Sequence, residues 1–204
     1  MERGNTKQEI LEASLNLFSV QGFEATSISQ IANAVGIRKA SLYNHYESKQ
    51  AILDAFLNQV ITEYEKHSIF VNHNWSENTD RLPLTADAAV KMIKAQLNYI
   101  IHDPHVSKGR KMLVIEQFKN DQLSALQTKQ NYTDVLGFFR GMINGLIEKG
   151  VLEDEDSEIM TAQFCLPISE WIKLVDREPE RENEVMELTE KHVRQFYRIY
   201  EPKG

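Results

Sequence analysis

A chain of 204 residues, 42% hydrophobic and 26% charged, is long enough for one sizeable core or two small ones, and this composition excludes a disordered or fibrous polypeptide. The single cysteine, Cys165, excludes an intramolecular disulfide, and the lack of any run of about eighteen apolar residues excludes a membrane-spanning helix. The net charge is −7, yet residues 1–50 balance Arg3, Lys7, Arg38, Lys39 and Lys49 against Glu2, Glu9, Glu12, Glu24 and Glu47, so the acidic excess lies beyond residue 50 and excludes strong nonspecific attraction to a polyanion. The stretch Met1–Gln8 is polar and lacks the apolar segment of a secretory signal, and a cytoplasmic protein is expected.

In chain order, Ile10, Leu11, Ser14, Leu15 and Phe18 fall at helical spacing; Thr6 with Glu9 forms a capping-box pattern that predicts the start, and Gly22 the stop. A second start is predicted at Ser27, with Gln30 three residues on, and Ile28, Ile31, Ala32 and Val35 make one stripe before Gly36. Ile37 returns to the core. A third short helix is expected from Arg38 or Lys39 to His45 with Leu42 inward, and Ser48 caps a fourth whose wide apolar face is Ile52, Leu53, Phe56, Leu57, Val60, Ile61 and Tyr64.

From His67 to Leu84 periodicity is lost among Asn, Ser, Asp and Pro83, which predicts a linker or long loop; His73 and Trp75 lie in it, as a surface loop or a mobile lid. Helices are then expected over Thr85–Asp103, about Arg110–Phe118, Gln122–Lys149, Ser157–Asp176, which Pro167 kinks or splits, and Asn183–Tyr200. No strand pattern and no internal repeat is present. The fold class is all-α.

The sharpest local pattern is Ser27–Tyr46, SISQIANAVGIRKASLYNHY. A helix-turn-helix needs a short supporting helix, a tight turn favouring a residue without Cβ, and a second helix with small or polar outward residues. Ala32 is small where the helices approach, Gly36 occupies the turn, and Ile31, Ile37 and Leu42 supply apolar contacts. The outward face offers Lys39, Ser41, Tyr43, Asn44 and His45: Lys and Ser reach phosphates, Asn reads adenine, and Tyr or His meets backbone or thymine methyl. The alternative is an ordinary solvated face of a three-helix cluster.

These residues resemble the TetR family of bacterial regulators, in Ile10-Leu11, Ala13, Leu17-Phe18, Gly22-Phe23, Thr26-Ser27, Ile31-Ala32, Val35-Gly36-Ile37, Leu42-Tyr43, His45-Tyr46 and Lys49. The likeness is close over Gln8–Phe56; beyond it, only helix number, length and order agree. The resemblance implies an amino-terminal DNA-binding domain, residues 1–50, and a helical effector-binding and dimerisation domain, residues 51–204. It further implies DNA contacts at Thr26, Ser27, Lys39, Ser41, Tyr43, His45 and Lys49, the last meeting phosphate at a helix amino terminus. Arg38 departs from the family, which often has Ser or Thr there: arginine cannot accept as a cap, so the helix is frayed until DNA binds, or Arg38 adds a phosphate or base contact. Arg38, Asn44 and Tyr46 complete the candidate DNA-contact set.

One module covers too little DNA to be selective, so a homodimer reading an inverted-repeat operator in double-stranded DNA is expected. The candidate interface is Val185, Leu188, His192, Phe196 and Tyr200 on one helix with Ile159, Ala162, Leu166, Ile172 and Val175 on another, two helices per subunit making a four-helix bundle as in the family. Either that, or these stripes pack inside their own subunit. A pocket for a small hydrophobic or amphipathic effector is expected among Tyr99, Met112, Phe118, Tyr132, Phe139, Met142 and Trp171, with Phe138 and Phe164 nearby, although such residues also make plain cores.

Metal binding is not expected: His67, His73, His102 and His105 include no i, i+4 pair. No catalytic constellation appears, Cys165 lies within an apolar helix, and no cofactor motif is present. The sequence therefore predicts a repressor released from its operator by a small molecule. The alternative is a helix-turn-helix protein controlled by a protein partner or without an effector. A helical enzyme is a third class, with the least support.

Overall fold

The computed structural model describes residues 3–67, 70, 75 and 78–203, with side chains left undescribed at 3–5, 60 and 63–67. Among the described residues there are ten α-helices and no strand. They are α1 (Arg3–Gln21), α2 (Ile28–Val35), α3 (Lys39–Tyr43), α4 (Lys49–His67), α5 (Ala86–His102), α6 (Pro104–Glu116), α7 (Asp121–Thr128), α8 (Asp134–Glu148), α9 (Ser157–Arg177) and α10 (Glu182–Ile199). The chain forms two compact units, Met1–Ser68 with Pro104–Gln127, and Ile69–Asp103 with Thr128–Gly204. The first unit thus reaches beyond residue 50 to include α4, α6 and α7. The expected contributions of Val60, Tyr64, His67 and His73 fall outside the described side chains.

In the first unit, α1 buries Ile10, Leu11, Leu15 and Phe18 against residues of α2, α3, α4, α6 and α7, among them Ile31, Leu42, Ile52, Leu53, Met112, Leu113 and Leu123. The helix begins at Arg3, upstream of the expected cap. Once Gly4 and Asn5 are helical, the amide that a Thr6 cap would take belongs to the i→i−4 ladder, so the Thr6–Glu9 pattern caps nothing. Gly22 ends the helix at φ +85°, its N–H donating to the Phe18 carbonyl at 3.0 Å. The expected helix at Arg110 starts instead at Pro104, because proline's fixed φ suits the first helical position and holds Asp103 extended before it. Asn120 Oδ1 then accepts the Leu123 N–H at 3.1 Å to open α7.

The second unit buries α5, α8, α9 and α10 around Ile93, Leu97, Phe139, Met142, Phe164 and Val193. The expected single helix Gln122–Lys149 is interrupted by a π-turn at Lys129–Thr133. The helix containing Pro167 is not split; α9 runs through it from its Asp156 cap, which accepts the Glu158 and Ile159 N–H groups.

Trp75 corrects the expected surface loop or lid. Its indole is buried, donates Nε1–H to the Phe138 carbonyl at 2.9 Å, and lies 5.1 Å from the Phe138 ring centroid. The reason is on α8, where a Cβ at Gly141 would come within 3.0 Å of Trp75 Cδ1 and one at Gly145 within 2.9 Å of Leu82. The two glycines leave room into which Trp75 and Leu82 pack.

Candidate nucleic-acid interface

The pair α2–α3 is built by local sequence. Ser27 Oγ accepts the Gln30 N–H at 3.2 Å while Gln30 Oε1 accepts the Ser27 N–H at 2.8 Å, a reciprocal capping box. At the far end Gly36 sits at φ +74°, with Gly36 N–H to the Asn33 carbonyl and Ile37 N–H to the Ala32 carbonyl, a Schellman turn that reverses the chain. Ile31, Ala32 and Leu42 are buried at the crossing. Arg38, at the cap position before α3, is extended and makes no side-chain cap, as its chemistry requires. The helix is shorter than expected, closing at Tyr43 with tight turn bonds from Asn44 to Ser41 and from His45 to Leu42.

The expected contact residues do not all share one face. Ser27, Arg38, Lys39, Tyr43 and Asn44 are exposed, Tyr43 by 45%, and Ser41 and His45 are half-buried. Two of the candidates, Thr26 and Tyr46, are buried. The Thr26 side chain is buried, donating its hydroxyl to the Gly22 carbonyl at 2.7 Å and accepting from Gln21 Nε2 at 3.0 Å, so it closes the loop before α2. Tyr46 is buried in the core of the unit with the Lys7 ammonium 5.2 Å from its ring centroid, and burial pushes its phenol pKa up.

Lys49 has a double position. Its Nζ donates to the Phe23 carbonyl at 2.8 Å and to the Glu24 carbonyl at 3.3 Å, which leaves one ammonium proton for another acceptor. Glu116 was not a sequence candidate. It is a buried carboxylate whose Oε1 accepts the Phe23 N–H at 2.9 Å, and its only trace in the sequence is an acid closing the apolar run MLVIE.

The family described as bacterial regulatory proteins, tetR family, matches residues 10–56, the span from the start of the α1 core to the first turns of α4. Residues 10–56 of this chain thus carry that family's amino-terminal domain. A curated relative, the biofilm operon icaADBC HTH-type negative transcriptional regulator IcaR of Staphylococcus aureus, is 36% identical over 70 residues, 34% of this chain and 37% of the relative. The match therefore spans little more than a third of that relative's length. Among solved structures, a TetR transcription regulator from Haloarcula marismortui agrees with a TM-score of 0.63 at 20% identity, covering 97% of this chain and 98% of that one. SmeT, the repressor of the Stenotrophomonas maltophilia multidrug efflux pump SmeDEF, agrees at 0.62 with 16% identity over 97% of this chain and 91% of that one. At those identities the likeness is one of fold, an amino-terminal helix-turn-helix followed by a helical carboxyl-terminal domain.

The effector candidates are dispersed. Met112 is buried in the core of the first unit and Phe118, after α6, is 90% exposed. Phe139 and Met142 fill the core of the second unit, Tyr99 and Tyr132 are exposed, and Trp171 is half-buried edge-on to His192 at 5.6 Å. Met112 thus belongs to the core of the first unit, and Phe139 and Met142 to the core of the second.

The interface candidates divide by face. Val185 and Phe196 are buried within their own unit, as is Val175, whereas Ile159 and Leu166 are exposed and Ala162, Ile172, Leu188, His192 and Tyr200 are half-buried. A shallow cleft of about 280 Å³ runs along this face of α9 and α10, lined by Trp171, Leu188, His192, Phe196, Ile199 and Tyr200 among others. The ring of His192 is fixed by a 3.0 Å contact between Nε2 and the Phe164 carbonyl, and the Tyr200 hydroxyl donates to Gln163 Oε1 at 2.5 Å. Of the histidines weighed as metal ligands, His102 faces Glu182 at 2.9 Å. Among the described residues no helix is long and apolar enough to cross a membrane.

Proposed function

We propose that the protein is a sequence-specific DNA-binding transcriptional repressor that acts as a homodimer and leaves its operator when a small hydrophobic or amphipathic effector binds. The observation that carries the reading is the α2–turn–α3 geometry. A capping box and a Schellman turn fix two short helices around buried Ile31, Ala32 and Leu42, and they present Arg38, Lys39, Tyr43 and Asn44 to solvent. Those side chains supply phosphate contacts and base-edge readout in a major groove. Ser27 contributes the exposed amino end of α2, and Ser41, His45 and the remaining Lys49 proton extend the phosphate track.

DNA contact belongs to the module of residues 1–50, and dimerisation and effector binding to residues 51–204. The dimer face is the exposed side of α9 and α10, where Ile159, Leu166 and Ile199 leave apolar surface that a second copy covers. Two half-sites at fixed spacing make operator affinity sensitive to the separation of the two modules, so an effector that changes that separation releases DNA without touching a contact. Catalysis forms no part of this function.

Selection of genomic fragments by the purified protein, followed by footprinting at physiological salt, tests the reading. The expected result is a short inverted repeat protected on both half-sites. A chain that recovers no DNA above background and runs as a monomer overturns it, and protection of a single half-site overturns the dimeric part alone.

A further inference from the structure

Among the described residues of the first unit, Glu116 is a buried acidic side chain that the recognition helix does not use. Glu116 closes α6 with its side chain almost wholly out of solvent, and its Oε1 accepts the Phe23 N–H at 2.9 Å across 93 residues of sequence. Phe23 lies in the short loop that joins α1 to the Ser27 cap of α2. The Phe23 carbonyl accepts from Lys49 Nζ at 2.8 Å and from the Thr26 N–H at 3.2 Å, so this residue is held on both its backbone groups.

Gly22 is part of the same arrangement. Its φ of +85° is a left-handed conformation that side chains disfavour, and a Cβ there would fall 2.3 Å from Glu116 Oε1. The carboxylate therefore reaches the loop amide through space that only glycine leaves open. An apolar residue of similar volume would fill the same position without the desolvation cost of a charge. What a carboxylate adds is a directional, charge-assisted acceptor at one amide.

We propose that Glu116 is a positioning residue for DNA recognition: its carboxylate fixes the α1–α2 loop, and through it the entry of α2 and the angle at which α3 is presented. The proposal rests on the DNA-binding reading above. Without the acceptor the loop samples several arrangements. Operator affinity then falls by the fraction of molecules that hold the competent one.

Three measurements on the full chain test it: operator affinity, thermal midpoint, and hydrogen exchange at the Phe23 amide, for wild type, Glu116→Ala and Glu116→Gln. Glu116→Ala is expected to weaken binding about tenfold under conditions where it is fully folded, and to speed exchange at Phe23, as loss of one charge-assisted bond predicts. Glu116→Gln keeps an acceptor oxygen and is expected to return affinity to within about threefold of wild type. Wild-type affinity in a folded Glu116→Ala overturns the proposal even if the midpoint falls, because the residue is then only stabilising. Unchanged exchange at Phe23 overturns it too. Should Glu116→Ala fail to fold, Glu116→Asp retracts the acceptor by one methylene, and wild-type affinity there counts against the proposal equally. If wild type itself selects no DNA, the DNA-binding reading falls first; if wild type binds and the variants match it, only this inference falls.

Discussion

The Lys49 ammonium lies 2.8 Å from the Phe23 carbonyl oxygen and 4.2 Å from the centroid of the Phe23 ring, so one side chain at the start of α4 holds the loop after α1 by both a charged hydrogen bond and a cation–π contact. Phe23 in turn stands edge-on to Phe18 at 5.4 Å.

Lys49 and Lys39 are expected to part company when each is replaced by alanine. Lys49→Ala loses the hold on Phe23 and lowers stability by roughly 1–2 kcal/mol in urea unfolding. Lys39→Ala, at an exposed position, leaves the unfolding midpoint in place but weakens operator binding and reduces the slope of log affinity against log salt by about one. Equal stability of Lys49→Ala and wild type would show that the Phe23 contact contributes nothing measurable.

Leu42 and Tyr43 are neighbours on α3 with opposite exposure, 0% and 45%. Leu42→Ala removes a core contact between the two helices and is expected to cost roughly 2–5 kcal/mol of stability. Tyr43→Ala is expected to leave thermal unfolding unchanged and to weaken operator binding. Undiminished binding by Tyr43→Ala would take that face of α3 off the DNA.

Two glycines of α8 give a prediction of opposite sign. Gly137 is exposed and a Cβ there meets nothing within 4 Å, so Gly137→Ala should stabilise by about 0.5–1 kcal/mol through helix propensity. At Gly141 the new Cβ would stand 3.0 Å from a Trp75 ring pinned by its bond to the Phe138 carbonyl. Gly141→Ala should therefore lose about 1–2 kcal/mol net and shift the tryptophan emission. Stabilisation by both would mean that Trp75 yields freely.

Cys165 should be inert in the folded protein. It is buried in α9, and burial pushes its thiol well above the usual range, disfavouring the thiolate that reacts. At neutral pH a maleimide is expected to label it only at the rate at which the second unit opens, and denaturant should accelerate labelling in step with unfolding. Rapid labelling of the native protein would contradict the burial.

The module was legible because its signals are local. Ser27 with Gln30, Gly36, Ser48 and the stripe of Ile31 and Leu42 act within a turn or two of chain, and capping and turn chemistry require the same residues wherever they occur. The Thr6–Glu9 pattern had the same form and failed, since a capping box is effective only where the preceding residues are not already helical. Pro104 lies ahead of the expected start at Arg110 and is the first residue of α6; proline can end or open a helix, and only the conformation of its neighbours distinguishes the two.

By itself, then, the sequence determined the helical class, the order of the helices and the recognition pair, all properties of periodicity and short-range hydrogen bonding. Tertiary structure decided which faces of those helices are spent inside. It placed Thr26 and Tyr46 in the core rather than on a surface, turned Val185 and Phe196 inward while leaving Ile159 and Leu166 outward, and brought Glu116 to Phe23 and Trp75 to Gly141. An apolar or polar residue at helical spacing carries the same sequence pattern whether its partner lies in its own unit or beyond it. Only the packing of elements distant along the chain determines which.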